Sequence, residues 1–499
     1  MFRALPILMS AFLVFGFGVA GSNAQESKLD EKDLDAFIEK TREEYNVPGV
    51  SVTVVEDGVV VYLKGFGVRK VGTQEKVDEN TIFQLASVTK TFTSAAIGTF
   101  VDDGKVTWDE EVIDVLPGFA LMQPYPTRYS TPRDLLAHRT GLPAFGGDLL
   151  GNLGYDREQV LYRVRLIEPS HSFREEATYS NIGFFIAGQV AGKLGKTTWE
   201  DVVNTRLIKP LEMNRTGFPG MLDKENVASP HAKIDGEIQA IPWNRGEILG
   251  AAGDMVSTGS DMSKWMITLL DGGTYKGKGV LKPETIKDMF APSMVETPGF
   301  AELPPISEKT GFSFGMGWGS YHWKNHEIVE KGGGYEGIRT VVVLVPELNL
   351  GITVLANLNF TVLPEAIRAY ILEQYLGKAD YDMQAEIKKR MAMLDKLTAV
   401  GSPPESPKPP SQELRAYVGN YENQLYGTFK VVQEKKDLRI EAGPGKYPGK
   451  LEHLNYNSYI LRWPSINMID EINFVIGPSG EIDEFISDAY GAFKRVKDQ

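Results

Sequence analysis

The segment GSPPESPKPPSQ, residues 401–412, carries five prolines and almost no apolar side chain. Each proline fixes its own φ and removes a backbone donor, so the stretch can neither continue a helix nor enter a central strand. It reads as a stiff, exposed linker that splits the chain into two unequal parts. A length of 499 residues also exceeds what one hydrophobic core usually organises. The expected division is residues 25–400, the linker at 401–412 and a small unit at 413–499. Separate folding of the two parts is the corresponding expectation.

Residues 1–24 stand outside this division. Arg3 precedes an apolar stretch that runs to Ala20, and Ser22-Asn23-Ala24 supplies small residues where a signal peptidase cuts. The pattern predicts a secretory signal and a secreted or periplasmic product. The alternative is an uncleaved membrane anchor, since the stretch is nearly long enough to span. Only in that case is a membrane a partner.

Elsewhere the pattern is that of a soluble globular protein, 42% hydrophobic and 24% charged. A net charge of −13 excludes nucleic acid as a main partner, because phosphate binding needs a basic surface. The chain has no cysteine, which removes disulfides, thiol nucleophiles and thiolate metal sites.

Along residues 25–400, Leu34, Phe37, Ile38 and Tyr45 recur at helical spacing after a capping Asp30, and Pro48-Gly49 marks a stop. VSVTVVEDGVVVYLKGFG then reads as a hairpin around Asp57-Gly58. A short extended TIFQLAS leads into a helix, VTKTFTSAAIGTFVDDG, closed by Gly104. Helices and loops fill the chain from about 105 to 270. Strands return at GMGWGSYHW, HEIVEKGGG, RTVVVLVPELN and LGITVLANL, and a helix, LPEAIRAYILEQYL, follows. The fold class is α+β: an antiparallel sheet assembled from both ends of one domain, flanked by helices, with a helical subdomain. Beyond the linker, GTFKVVQEKKDLRIEA, KLEHLNYNSYILRWP and MIDEINFVIGPSGEIDEFIS are short strands separated by turn residues, which predict a small all-β barrel.

The chemistry concentrates in a few places. In FQLASVTKTFTSAA, Lys90 stands three residues after Ser87, so a helix carries both on one face. A lysine removed from water is pushed toward its neutral form, and a neutral amine beside a hydroxyl activates a nucleophile. The backbone N–H groups at such a helix start can hold an oxyanion. YSNIGFF supplies Tyr179, which can relay a proton, and Asn181, which can hydrogen-bond a substrate amide. EKGGGYEG supplies Lys331 followed by Gly332, Gly333 and Gly334, where a substrate backbone can approach a strand closely. Tyr-x-Asn recurs at Tyr421–Asn423, and Lys-x-Gly recurs at Lys70–Gly72 and Lys193–Gly195, so neither pattern decides alone.

The order Ser-x-x-Lys, Tyr-x-Asn, Lys-x-Gly resembles that of the serine β-lactamase and penicillin-binding-protein superfamily. STPRDLLAHRTGLP, IKPLEMNRTGF, GAAGDMVSTGSDMSKWM and FGMGWG resemble further blocks of its class C β-lactamase and D-aminopeptidase branch, over about residues 30–375. YVGNYEN, LYGTFKV and LEHLNYNSYIL resemble the lipocalin-like domain of some self-compartmentalising serine peptidases in that branch.

The resemblance implies a β-lactamase-like hydrolase domain with Ser87 as nucleophile, Lys90 as general base and Tyr179 as proton relay. Asn181, Lys331 and Gly333 would bind substrate, and the Gly334 N–H would join that of Ser87 at the oxyanion. Lys331 would also lower the cost of an anionic Tyr179. No cofactor or metal is implied. The implied substrate is a small peptide, amide or ester, D-amino-acid peptides included, and a homo-oligomer is compatible with it. A promiscuous carboxylesterase, a β-lactamase and a non-catalytic penicillin-recognising sensor stay open. Lys-Gly-Gly-Gly departs from the Lys-Thr-Gly common in relatives, which weakens the β-lactamase reading.

Three other features are set aside. GFSFG around Ser313 fits a nucleophile elbow, but a strand follows where a helix is needed. His322 and His326 flank a turn at Lys324-Asn325 instead of sharing a helix face. His138, Trp318 and Trp323 read as structural side chains, and Asp102-Asp103 as a solvated helix end.

Overall fold

The computed structural model describes residues 28–234, 236–295, 310–397, 404, 406–463 and 469–496. The expected signal segment at 1–24 lies outside them, as does part of the expected linker. Helix α1, Glu31–Glu44, begins where Asp30 Oδ1 accepts the N–H groups of Lys32 and Asp33. The hairpin β1, Gly49–Glu56, and β2, Val59–Gly67, turns at Asp57-Gly58, where both φ values are positive (51° and 77°). That is the backbone a two-residue hairpin turn requires.

The remaining strands of this sheet are β3, Met294–Val295; β4, Thr310–Phe314; β5, Gly319–Trp323; β6, His326–Tyr335; β7, Ile338–Val345; and β8, Leu350–Ala356. They form an eight-stranded sheet in the order β2-β1-β8-β7-β6-β5-β4-β3, with every neighbouring pair antiparallel. β1 from one end of the domain pairs β8 from the other, as the sequence predicts.

Alternation along β1 sends Val50, Val52 and Val54 to one face. That face is covered by α1, by α4, Leu363–Leu376, and by α5, Met383–Leu397. Phe37 of α1 stacks on Tyr370 of α4 with ring centroids 4.1 Å apart. The other face carries the larger core, built around α2, Thr89–Asp102, and α3, Asn181–Gly195. From Thr89 to Phe100, every residue of α2 is buried, as befits a helix enclosed on all sides. Gly104, at φ 69°, ends it. Asp102 and Asp103 are not simply solvated: Asp102 caps the Lys282 backbone, and Asp103 pairs with Arg206 and Lys105.

The C-terminal strands are β9, Gly419–Asn423; β10, Gly427–Glu434; β11, Asp437–Ala442; β12, Tyr447–Asn455; β13, Ser458–Arg462; β14, Ile469–Ile476; β15, Ile482–Ser487; and β16, Gly491–Val496. They close into a barrel. Its interior is filled by rings, with Phe429, Phe485 and Phe493 at centroid spacings of 4.3 to 6.4 Å. A barrel of this size is a packed core. The decoy Tyr421 lies inside it, donating to the Tyr417 carbonyl.

The barrel also packs on the first part of the chain: Leu149, Leu153 and Tyr155 belong to the same apolar cluster as Tyr426 and Phe429. Among the described residues, no helix is long and apolar enough to cross a membrane.

Candidate active site

Ser87 lies in a single 3₁₀ turn, Ala86–Val88, that runs directly into α2. The sequence places Ser87 at the end of the extended TIFQLAS, and the structure instead puts it in this turn; Ser87 and Lys90 still face each other because positions three apart share one side of a helical turn. Ala86 sits at φ 48°, in the left-handed region an alanine seldom occupies. Such backbone strain persists where the surroundings fix it. Here the Thr340 hydroxyl donates to the Leu85 carbonyl (2.8 Å), and the Leu85 N–H donates to the Met255 carbonyl (2.8 Å).

Lys90 is fully buried. Its Nζ lies 3.1 Å from Ser87 Oγ, 2.6 Å from Asn181 Oδ1 and 2.8 Å from the Ala252 carbonyl oxygen. Two of these neighbours can only accept. A neutral amine has two protons for them and one lone pair, which is left for the Ser87 hydroxyl. Burial favours that form: desolvation pushes the Lys90 amine well below its ordinary value, and the charge of Lys331 adds to it. Asp148 and Asp254 pull the other way with smaller effect.

Tyr179 is hydrogen-bonded to Ser87 and lies between two lysine side chains, with Lys90 Nζ 4.8 Å and Lys331 Nζ 4.7 Å from its ring centroid. Burial nevertheless pushes its phenol up, so it rests as a neutral proton donor. Desolvation outweighs the Ser87 hydrogen bond and the Arg339 charge, both of which favour the anion. Neighbouring groups driven apart in this way divide the roles of base and acid.

Asn181 opens α3 beneath the cap Ser180, whose Oγ accepts the Gly183 N–H (3.1 Å). His138 is structural, as expected. Its Nδ1 accepts the Ser180 N–H (3.1 Å), and its ring stacks on Tyr179 at 4.5 Å.

Lys331 is buried on β6. β5 pairs β6 only as far as Glu330, while β7 pairs it through Tyr335, so Lys331–Tyr335 keep one edge unpaired by β5. Gly333 presses against the nucleophile turn: a Cβ there would stand 2.3 Å from Thr340 Oγ1 and 2.5 Å from the Leu85 carbonyl oxygen. Gly333→Ala is therefore expected to cost about 1–3 kcal/mol of stability and to slow acylation of Ser87. Thermal melts and rates of active-site labelling check this; an unchanged melt and rate would show the contact to be slack.

Gly334 is exposed on the same stretch. The Arg339 guanidinium lies 3.4 Å from where a Cβ on Gly334 would stand. Arg339 and Asp148 were both missed from the sequence. Asp148 Oδ2 accepts Asn181 Nδ2 at 2.6 Å.

The features set aside stay apart. Ser313 is buried on β4, 3.2 Å from Ser320 Oγ, with strand β5 following. His322 and His326 flank the Lys324-Asn325 turn, and His326 pairs with Glu347. Among the described residues, no cluster of three or more histidine or acidic side chains could hold a metal. Trp318 and Trp323 are core residues.

The β-lactamase family model matches residues 34–376, most of the chain. The chain belongs to the β-lactamase family. The family's serine hydrolases supply the chemical frame for this site. A domain of unknown function (DUF3471) matches residues 403–496.

Among curated relatives, an unguisins hydrolase, ungD of Aspergillus violaceofuscus (strain CBS 115571), is 24% identical over 449 residues, covering 83% of this chain and 79% of its own. Protein flp of Staphylococcus aureus (strain N315) is 25% identical over 359 residues, covering 72% and 69%.

Among solved structures, the octameric penicillin-binding protein homologue from Pyrococcus abyssi aligns with a TM-score of 0.59 at 22% identity, over 93% of this chain and 100% of its own. A class C β-lactamase from Rhodobacter sphaeroides aligns at 0.57 and 20% identity, over 69% of this chain and 99% of its own. These two likenesses bear on fold alone.

Proposed function

We propose that the protein is a secreted serine hydrolase that works through an acyl-serine and cleaves short peptides or amides, D-amino-acid peptides among them. The observation that carries the reading is the enclosure of Lys90, whose two obligate acceptors leave its lone pair for Ser87. A relative named for hydrolysing unguisins supports a hydrolase role. Arg3 and the apolar stretch after it support export.

In the proposed reaction, Ser87 Oγ attacks the carbonyl carbon and its proton passes to Lys90 Nζ. The carbonyl π pair moves onto oxygen, held by the Ser87 and Gly334 N–H groups. Collapse of the tetrahedral species breaks the bond to the leaving nitrogen, which takes a proton from Tyr179. The proton on Lys90 returns to Tyr179. Water then attacks the ester by the same route, restoring Ser87. Asn181 orients Lys90 and the substrate amide, and Lys331 supplies positive potential for a substrate carboxylate.

A carboxylesterase is the second reading, favoured by Gly332, which offers no hydroxyl beside Lys331 to a carboxylate or β-lactam. The test is steady-state turnover of a chromogenic ester, of D- and L-aminoacyl anilides and of a chromogenic cephalosporin. Anilide turnover with the cephalosporin inert is the expected result. Turnover of the ester alone would replace the peptidase by a carboxylesterase, fast cephalosporin hydrolysis would restore the β-lactamase, and labelling without turnover would leave a sensor.

A further inference from the structure

The segment from Gly147 to Arg163 joins the barrel to the catalytic cluster. At its start, Asp148 Oδ2 accepts Asn181 Nδ2, while Oδ1 is buried without a hydrogen bond from any described residue. The residue as a whole is half-buried, with Oδ1 enclosed. Burial raises the carboxyl to about 7 against the opposing effects of Asn181 and Lys90.

The rest of the segment is held from the barrel side. The Tyr426 hydroxyl lies by the Gly147 backbone N–H, and its ring shares an apolar cluster with Leu149 and Leu153. Gly445 N–H donates to the Leu153 carbonyl at 2.8 Å. Arg163 Nη1 donates to the Gln424 and Leu425 carbonyls at 3.0 and 2.7 Å.

An asparagine amide can present either its oxygen or its nitrogen to a neighbour. Presenting Nδ2 to the neutral Lys90 amine would let Nδ2 donate into its one lone pair and so take that lone pair away from Ser87. Asp148 Oδ2 accepts from Nδ2, and above the raised carboxyl pKa the side chain can only accept, so it draws Nδ2 to itself and leaves Oδ1 for Lys90.

We infer that Asp148 is a positioning residue for the catalytic base, acting through Asn181, and that the barrel holds Asp148 in place through Tyr426. The inference rests on the reading of Lys90 as proton acceptor. The charged and titratable groups that face Asp148 are Lys90 from α2, Asn181-adjacent Tyr179, Tyr335 from β6 and Tyr426 from the barrel.

The test is a double-mutant cycle on the full chain, read by kcat and KM on the best substrate found and by the rate of fluorophosphonate labelling. Asp148→Ala is expected to lower kcat about 100-fold, as displaced catalytic groups do, with KM little changed. Asp148→Asn, which can still accept from Asn181, is expected to restore most of that loss. Tyr426→Phe is expected to lower kcat about 3- to 10-fold alone and to add nothing in the Asp148→Ala background, because both act on one path.

An unchanged kcat in Asp148→Ala overturns the positioning role. Equal losses from Tyr426→Phe in both backgrounds overturn the link to the barrel. A loss in Asp148→Ala that Asp148→Asn shares in full also overturns the hydrogen-bond argument. A fluorophosphonate label that persists in Ser87→Ala would fail the underlying mechanism instead, whatever the Asp148 variants do.

Discussion

Ser87→Ala is expected to take up no fluorophosphonate label and to lose activity on the order of 10⁶-fold, the scale on which serine hydrolases fall when the nucleophile is removed. The Lys90 amine and the Tyr179 side chain converge on this one hydroxyl, and Asn181 holds Lys90 in place behind it. Ser313→Ala is expected to label at the parent rate. Ser313 is buried in a sheet, and its recorded side-chain partner is another serine, Ser320, which is no base. Label retained in Ser87→Ala and lost in Ser313→Ala would transfer the nucleophile to the elbow-like sequence and overturn the site.

Lys90→Arg is expected to be nearly inactive although it keeps a positive charge. A guanidinium stays protonated in proteins and cannot accept the Ser87 proton. The parent should lose activity as pH falls: the folded pKa of Lys90 is depressed, so the competent neutral form is present above that pKa and is protonated away below it. Lys90→Arg should lack that limb. Circular dichroism separates this from misfolding, since the longer side chain enters a closed site, and Lys90→Met gives a smaller replacement that also lacks a base. A folded Lys90→Arg protein within tenfold of the parent, a barrier change of only about 1.4 kcal/mol, would reduce Lys90 to a stabilising cation.

Much of this site can be seen in the sequence because its parts sit at fixed local spacings. Ser87 and Lys90 lie one turn apart, and Tyr179 and Asn181 straddle a helix cap. The sheet strands announce themselves by alternation, and the barrel strands do too, as in Leu438, Ile440 and Ala442. What escaped has no local pattern. The Ala252 carbonyl is a backbone group that any residue would supply. Asp148 reaches Asn181 from a short 3₁₀ turn 33 positions away. Arg339 reaches the glycines of β6 only because β7 folds back beside it. Helix α5 was also missed: its mixture of charged residues and methionines gives a weak stripe, of which Met383 and Ile387 reach the core. The resting charge of Tyr179 is likewise not legible in the sequence, which shows the cations around a group but not how much water it has lost.

The shared apolar cluster of Leu149, Leu153, Tyr155, Tyr426 and Phe429 gives the proline segment a mechanical meaning opposite to that of a hinge. Swinging the barrel away would expose that cluster to water, at a cost that grows with the apolar area uncovered. The tether is therefore slack in function: its length could drift by several residues without moving the barrel, whereas one polar side chain placed at Leu153 would loosen the union that the tether cannot enforce.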